Sequence, residues 1–317
     1  MKVSVRVPAT TANIGPGFDC LGMALPIYNT ITLEETVLPG TGVEINVIAA
    51  GDTVDQLSLE HVPSDENSIV YKAVELLYNS IGQSPSELKI NILSNIPVAR
   101  GLGSSSSVIV GALIAANELL GRPADEIALL SIACEIEGHP DNITPAMTGG
   151  LVISSQENDG SVAYRKLDWP SDWAVTVCIP DFELSTDIAR SVLPADVPLK
   201  DAVYNAQRIA MFVQAVHTKD SELMKLALHD KLHEPYRMKL VPGLDKIIDN
   251  LKHFDNVLGC VLSGAGSSIL IISERNNLDK IKSVVKETWA DQNIKCDIKT
   301  LSVENNGAQI ISHEDTN

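Results

Sequence analysis

The stretch Pro97-Val98-Ala99-Arg100-Gly101-Leu102-Gly103-Ser104-Ser105-Ser106-Ser107 constrains this chain more than any other, because it joins a strand pattern to a helix pattern through glycines and serines. Before it, Lys89 to Leu93 alternates as a strand does. After it, Val108, Ile109, Ala112, Leu113, Ala116, Leu119 and Leu120 fall on one helical face until Gly121 ends the run. The loop therefore stands at a helix N-terminus, where unpaired backbone N–H groups and the positive end of the helix dipole face outward. Glycines allow close backbone approach to an anion, and four hydroxyls add donors, so the loop reads as a cradle for polyphosphate. One glycine and one serine would be ordinary capping; two glycines and four serines exceed what a cap requires. Neither common nucleotide fingerprint fits. The P-loop lysine is absent after the last glycine, and Ser106 stands where the dinucleotide pattern needs its third glycine.

Two further glycine loops flank this one in the sequence. Pro8-Ala9-Thr10-Thr11-Ala12-Asn13-Ile14-Gly15-Pro16-Gly17-Phe18-Asp19 lies near the start, and Leu262-Ser263-Gly264-Ala265-Gly266-Ser267-Ser268 near the end. With Pro97 to Ser105, these three segments resemble, in order, the three motifs of the GHMP small-molecule kinases, the first in the form carried by their homoserine-phosphorylating branch. The resemblance implies a two-lobed α+β fold, with a ribosomal S5 domain 2-like N-terminal lobe, a ferredoxin-like C-terminal lobe and the site between them. It also implies ATP and Mg²⁺ as cofactors, with residues 97 to 107 on the nucleotide phosphates.

The residue pattern permits that fold without dictating it. The 317 residues, 44% hydrophobic, suffice for two lobes. Strand-like runs fall near 3–7, 29–35, 43–48, 89–94, 151–153, 173–179, 257–262, 268–272 and 295–301. Helix-like runs fall near 67–80, 104–120, 124–137, 200–217, 221–233, 243–253 and 277–290, a mixed α+β order. The polar stretch Ser154 to Ser161 is the expected lobe boundary, dividing a lobe over 1–155 from one over 160–311, and 312–317 is expected to fray.

Composition narrows the partners. A net charge of −17, from 24 basic and 41 acidic residues, argues against nucleic acid or an anionic membrane, so cations must be concentrated locally to hold a nucleotide. The five cysteines are scattered without a Cys-x-x-Cys, as reduced packing residues are. No apolar run approaches the ~20 residues of a membrane span, and Met1 leads straight into a strand, so a cytoplasmic location is expected. The sequence leaves a homodimer open.

A second constellation is Glu135-Ile136-Glu137-Gly138-His139-Pro140-Asp141-Asn142. A helix ends at Gly138, placing Glu137 in its last turn, where a carboxylate opposes the dipole. Such placement suits a Mg²⁺ ligand, since Mg²⁺ takes one or two carboxylates plus phosphate oxygens; a solvated acidic helix end is the plainer reading. By the resemblance, Glu137 and Ser104 hold the metal, with Glu135 as the competing carboxylate. The resemblance also puts His139 and Asn142 on the acceptor, leaving Asp141 as base, support or turn former.

The resemblance further implies L-homoserine as acceptor and O-phospho-L-homoserine as product, feeding threonine synthesis. An amino acid acceptor needs an acid for its ammonium and bases for its carboxylate. Asp19 is expected on the ammonium, Asn13 on the side-chain hydroxyl region, and Arg190 and Arg237 on the carboxylate, with Arg190, His139 and Asn142 counted as catalytic. Arg100 reads equally as a phosphate contact or an exposed loop cation, and Asn67 as an adenine contact by analogy. Two other readings stand: a mevalonate- or sugar-type kinase, which needs no ammonium site, and a catalytically silent binder of nucleotide or amino acid. A serine hydrolase is the remaining enzyme option, disfavoured because Gly-x-Ser-x-Gly is absent and no Ser, His and acid trio can be placed from spacing.

Overall fold

A computed structural model describes residues 1–35, 42–50 and 54–314. The strands are β1 (Lys2–Asn13), β2 (Gly17–Glu35), β3 (Val43–Ala49), β4 (Leu88–Ser94), β5 (Leu151–Gln156), β6 (Val162–Leu167), β7 (Trp173–Pro180), β8 (Val257–Leu262), β9 (Ile269–Glu274), β10 (Cys296–Leu301) and β11 (Gln309–Glu314). The helices are α1 (Ile69–Ser80), α2 (Ser104–Leu119), α3 (Glu126–Glu137), α4 (Pro140–Thr148), α5 (Thr186–Ser191), α6 (Leu199–Thr218), α7 (Ser221–Ala227), α8 (Glu234–Arg237), α9 (Leu244–Leu251) and α10 (Leu278–Ala290).

Two sheets organise the chain. The first runs β11-β1-β2-β4-β3, with β5 joined to β2 and β6 to β5; β3 and β4 are parallel and the other pairs antiparallel. The second is antiparallel in the order β10-β7-β9-β8. Helices α1 to α4 cover the first sheet through a core that includes Val5, Ile31, Leu77, Leu113 and Ile143. Residues of both sheets then share a middle core, in which Ile14, Leu25 and Leu102 meet Trp173, Phe212 and Leu270. The outer face of the second sheet is closed by α9 and α10 around Trp289 and Ile247. The cleft lies at the rim of the middle core, so burial of that core holds both walls of the site together.

Local chemistry explains the element ends. Asp125 caps α3 by accepting the Ala128 N–H, and Gly138 closes it at φ +87°. Pro140 opens α4, the position where a missing N–H does no harm, although the internal Pro145 had hidden this helix from the sequence pattern. The helix expected over 221–233 stops at Ala227. Beyond it, the Asp230 carboxylate accepts the N–H groups of Leu232, His233 and Glu234 and turns the chain.

The lobe limits also need correcting. Ser154 to Ser161 is not a boundary but the arm and turn of a hairpin, with Gly160 at φ +84° and β6 continuing the first sheet. Residues 162–167 and 309–314 therefore belong to the first sheet, and the chain passes to the second between Leu167 and Trp173. The tail does not fray at Ser312 to Glu314: these residues pair with Lys2 to Ser4 and cover an edge that would otherwise be open. Residues 315–317 lie outside the described residues. Among the described residues no helix is long and apolar enough to cross a membrane, and all five cysteines are free.

Candidate active site

The cleft, about 250 Å³, is lined by the loop from Pro97 to Ser105, by Glu137, His139, Asp141 and Asn142, and by Asn13, Asp19, Arg190 and Arg237. Thus residues as far apart in sequence as Asn13 and Ala265 converge on one place.

The phosphate loop is held in its backbone shape by its neighbours. Gly101 and Gly103 have φ of +69° and +66°, and a Cβ on either would stand 2.0 Å from the Ser263 carbonyl oxygen or 1.9 Å from Thr10 Oγ1. Only glycine fits there, for backbone angle and for space. Ser263 Oγ donates to the Gly101 carbonyl at 2.6 Å, the Thr10 N–H to the Leu102 carbonyl at 3.0 Å, and the Gly264 N–H to the Ala12 carbonyl at 3.0 Å. The three glycine loops are thereby tied into one unit. At its tip α2 begins with Ser104, leaving first-turn N–H groups turned to the cleft.

Glu137 reaches this helix N-terminus from the end of α3. Ser105 Oγ donates to its Oε2 at 2.8 Å and Ser106 Oγ to its Oε1 at 2.9 Å. Ser104 lines the same cleft, whereas Glu135 is exposed and does not. A carboxylate among hydroxyls at a phosphate-binding helix end is a hard oxygen donor set suited to Mg²⁺. Elsewhere in the cleft, ligand atoms of Asp19, His139 and Asp141 lie within 4.8 Å of one another. Those carboxylates already have partners: Asp141, 1% exposed, sits 2.6 Å from His139 Nδ1, and Asp19 is held by Arg190. Burial alone would lower the His139 pKa, but the Asp141 hydrogen bond and the charges of Asp141, Asp19 and Glu137 outweigh it and leave it raised.

The acceptor end is built around Phe18. The Arg190 and Arg237 guanidinium carbons lie 5.5 Å and 5.1 Å from its ring centroid, and His233 stacks on it at 5.2 Å. Arg190 forks onto Asp19 with contacts of 2.8 Å and 3.3 Å. Arg237, 2% exposed, donates from Nε to the Ala189 carbonyl at 3.0 Å.

Several expected roles shift. Asn13 is buried, accepts the Asp19 N–H at 3.0 Å and donates to the Gly264 carbonyl at 2.9 Å, so its amide joins two loops instead of meeting a hydroxyl. Asn142 stays in the cleft lining, held there by accepting from Thr10 Oγ1 at 2.7 Å and donating toward Asp141 at 3.3 Å. Arg100 turns away to the Pro180 and Asp181 carbonyls and lies 3.5 Å from Glu183, bracing the loop against the second sheet. Asn67 is exposed, pairs with Asp65 at 3.2 Å and lies outside the cleft lining. A neighbouring groove of about 790 Å³ instead shares Pro97, Val98 and Arg100 with the loop and adds Leu57, Ser58 and His61. Phe18 and Thr10 went unassigned although both stand inside the first glycine loop, and Ser185 and Thr186, which also line the cleft, lie outside all three motifs.

Three glycine loops tied around a helix N-terminus, in a cleft between these two sheets, define a small-molecule kinase of one family. Residues 68–150 match the sequence model of the GHMP kinases N terminal domain and 212–291 that of the GHMP kinases C terminal region, and the chain belongs to the GHMP kinases. Homoserine kinases are among the curated proteins it resembles over nearly the full chain. That of Moorella thermoacetica is 40% identical over 307 residues, covering 97% of this chain and 99% of its own. That of Caldicellulosiruptor saccharolyticus is 41% identical over 312 residues, covering 98% and 97%. The crystal structure of homoserine kinase from Cytophaga hutchinsonii superposes with a TM-score of 0.86 at 28% identity, covering 98% of this chain and 97% of that one. The mevalonate kinase of L. major, at 17% identity and a TM-score of 0.67 over 95% of each chain, shares the fold.

Proposed function

We propose that this protein transfers the γ-phosphoryl group of ATP to the side-chain hydroxyl of L-homoserine, giving O-phospho-L-homoserine and ADP on the route to threonine. One observation carries the acceptor's identity: the bidentate Arg190–Asp19 pair, with Arg237 beside it, presents a cation and an anion side by side, complementary to an amino acid's carboxylate and ammonium. The first-turn N–H groups of α2 and the Ser104 hydroxyl receive the nucleotide phosphates; of the other serines expected there, Ser105 and Ser106 donate to Glu137 and the fully buried Ser107 donates to the Ser104 carbonyl. Glu137 and Ser104 would hold Mg²⁺, which when bound neutralises phosphate charge. His139, oriented by Asp141, and Asn142, oriented by Thr10, fix the acceptor hydroxyl end. Phosphoryl transfer through a loose transition state gains most from such positioning and charge neutralisation.

The test is ADP release with ATP, Mg²⁺ and, separately, homoserine, serine, threonine, mevalonate or galactose. Homoserine is expected to accelerate release far above the others, and Arg190→Ala to raise its KM about thirtyfold, the equivalent of ~2 kcal/mol for one charge-assisted contact. Mevalonate or a sugar as the preferred acceptor, with activity surviving Asp19→Asn, would overturn the acceptor assignment. ATP binding without turnover on any acceptor would mean a silent binder.

A further inference from the structure

On the far side of α8 from the cleft lies a second cavity of about 430 Å³, sharing no lining residue with the first. Its volume falls in the usual range for small-molecule sites, about 300–1,000 Å³. Leu228, Met238, Ile248, Leu251, Val257 and Leu258 make its walls apolar. The ionisable groups around it are few. Lys225 pairs with Glu222 at 2.8 Å and Lys252 with Asp249 at 2.7 Å, so each lysine is neutralised beside it. Asp230 is taken up by Asn205 Nδ2 and three backbone N–H groups. The His229 pKa is lowered, first by burial and then by Arg208 and Lys252, which keeps its ring neutral.

Glu234 remains. It is 9% exposed and lines this cavity, not the cleft. Its Oε1 accepts the Leu262 N–H at 2.7 Å, while Oε2 has no hydrogen-bond partner among the described residues. Burial pushes its carboxyl up to about 8, with the Leu262 N–H and Arg237 opposing that rise and Asp230 adding to it. β8 is the outer strand of its sheet. The Ser263 N–H turns inward to the Ser268 carbonyl and the Leu262 N–H outward to Glu234, so the two-residue alternation turns the Cys260 N–H and C=O outward on the Glu234 side.

We propose that this cavity binds a small primary amine, with its ammonium on Glu234 Oε2 and the Cys260 carbonyl and its branched apolar body among Met238, Ile248 and Leu251. The two lysines of the lining are paired with Glu222 and Asp249, so a bound ammonium is what makes the buried carboxylate half of a pair.

The probe is 3-methylbutan-1-amine, with 3-methylbutan-1-ol as its uncharged counterpart, titrated into the full chain at pH 7 with ¹³C-methyl methionine. Six methionines keep the spectrum simple. The Met238 methyl signal is expected to move saturably with the amine, those of Met23 and Met147 to stay, and the alcohol to bind about tenfold more weakly. Glu234→Gln keeps an oxygen for the Leu262 N–H and should erase the preference for amine over alcohol; Ile248→Trp fills the cavity and should erase both responses. A Met238 signal that never saturates, or amine binding by Glu234→Gln equal to the wild type, would overturn the site. Should Glu234→Gln fail to fold, Ile248→Trp decides: a retained saturable shift overturns the proposal and a lost one supports it.

Discussion

Glu234 shows how much one side chain can hold against its own chemistry. Its carboxyl ionises near the ordinary 4.5 in an open chain but near 8 once folded, because burial penalises the charge. Below the lower value both states are protonated and nothing is lost. As pH rises between the two values, unfolding releases a proton that the fold retains, so stability falls, and above about 8 the loss levels off. Wild-type stability should therefore decline relative to Glu234→Gln from about pH 5 to 8, by up to ~1.4 kcal/mol per pH unit. Urea unfolding of both proteins at four pH values checks this; parallel curves would refute it. At this scale the motif residues were legible because glycines, hydroxyls and carboxylates cluster within short segments. The pairing of Asp19 with Arg190 was not, since 171 positions separate them and either residue alone looks like surface charge. Arg100 stayed between two readings for a related reason: its partners at Pro180 to Glu183 come from the end of β7 and the loop after it.

Elements carry the loops as a coupled set. Gly101 meets the Ser263 carbonyl, and Gly264 is tied to Ala12, so a change in one glycine loop strains the other two. Gly101→Ala combines a positive φ with a contact of 2.0 Å to backbone that cannot swing aside. It should lower unfolding stability by at least about 2 kcal/mol and weaken nucleotide binding together, as measured by denaturant melts and ATP titration. Stability within a few tenths of wild type would show that the loops move independently. Among the elements, α2, α3, α6 and α10 could be read directly from apolar periodicity and end signals. β6 could not, because Val162-Ala163-Tyr164-Arg165-Lys166-Leu167 pairs on one side only, in the pattern of a solvated edge. β11 offered no signal beyond two isoleucines, and α4 concealed itself behind Pro145.

For the whole molecule, the two lobes are not two separable lengths of chain. A fragment of residues 1–155 lacks β6 and β11, leaving β1 and β5 as long open edges and half of the middle core unfilled. Expressed alone, it should aggregate or show no cooperative thermal transition, whereas the full chain melts in one; a soluble, sharply melting fragment would contradict this. What the sequence conveyed here was the order of motifs, which suffices to place a cleft between lobes. It could not convey that the last strand returns to the first, because strand pairing across 312 positions leaves no local trace. That return sets a schedule for biosynthesis. While the ribosome is still making the second sheet, the first can collapse but cannot close, and β1 waits with an unpaired flank through more than half of translation. The finished kinase is assembled last-strand-in, so a nascent chain halted anywhere before Gln309 is an unfinished first lobe, however complete its second.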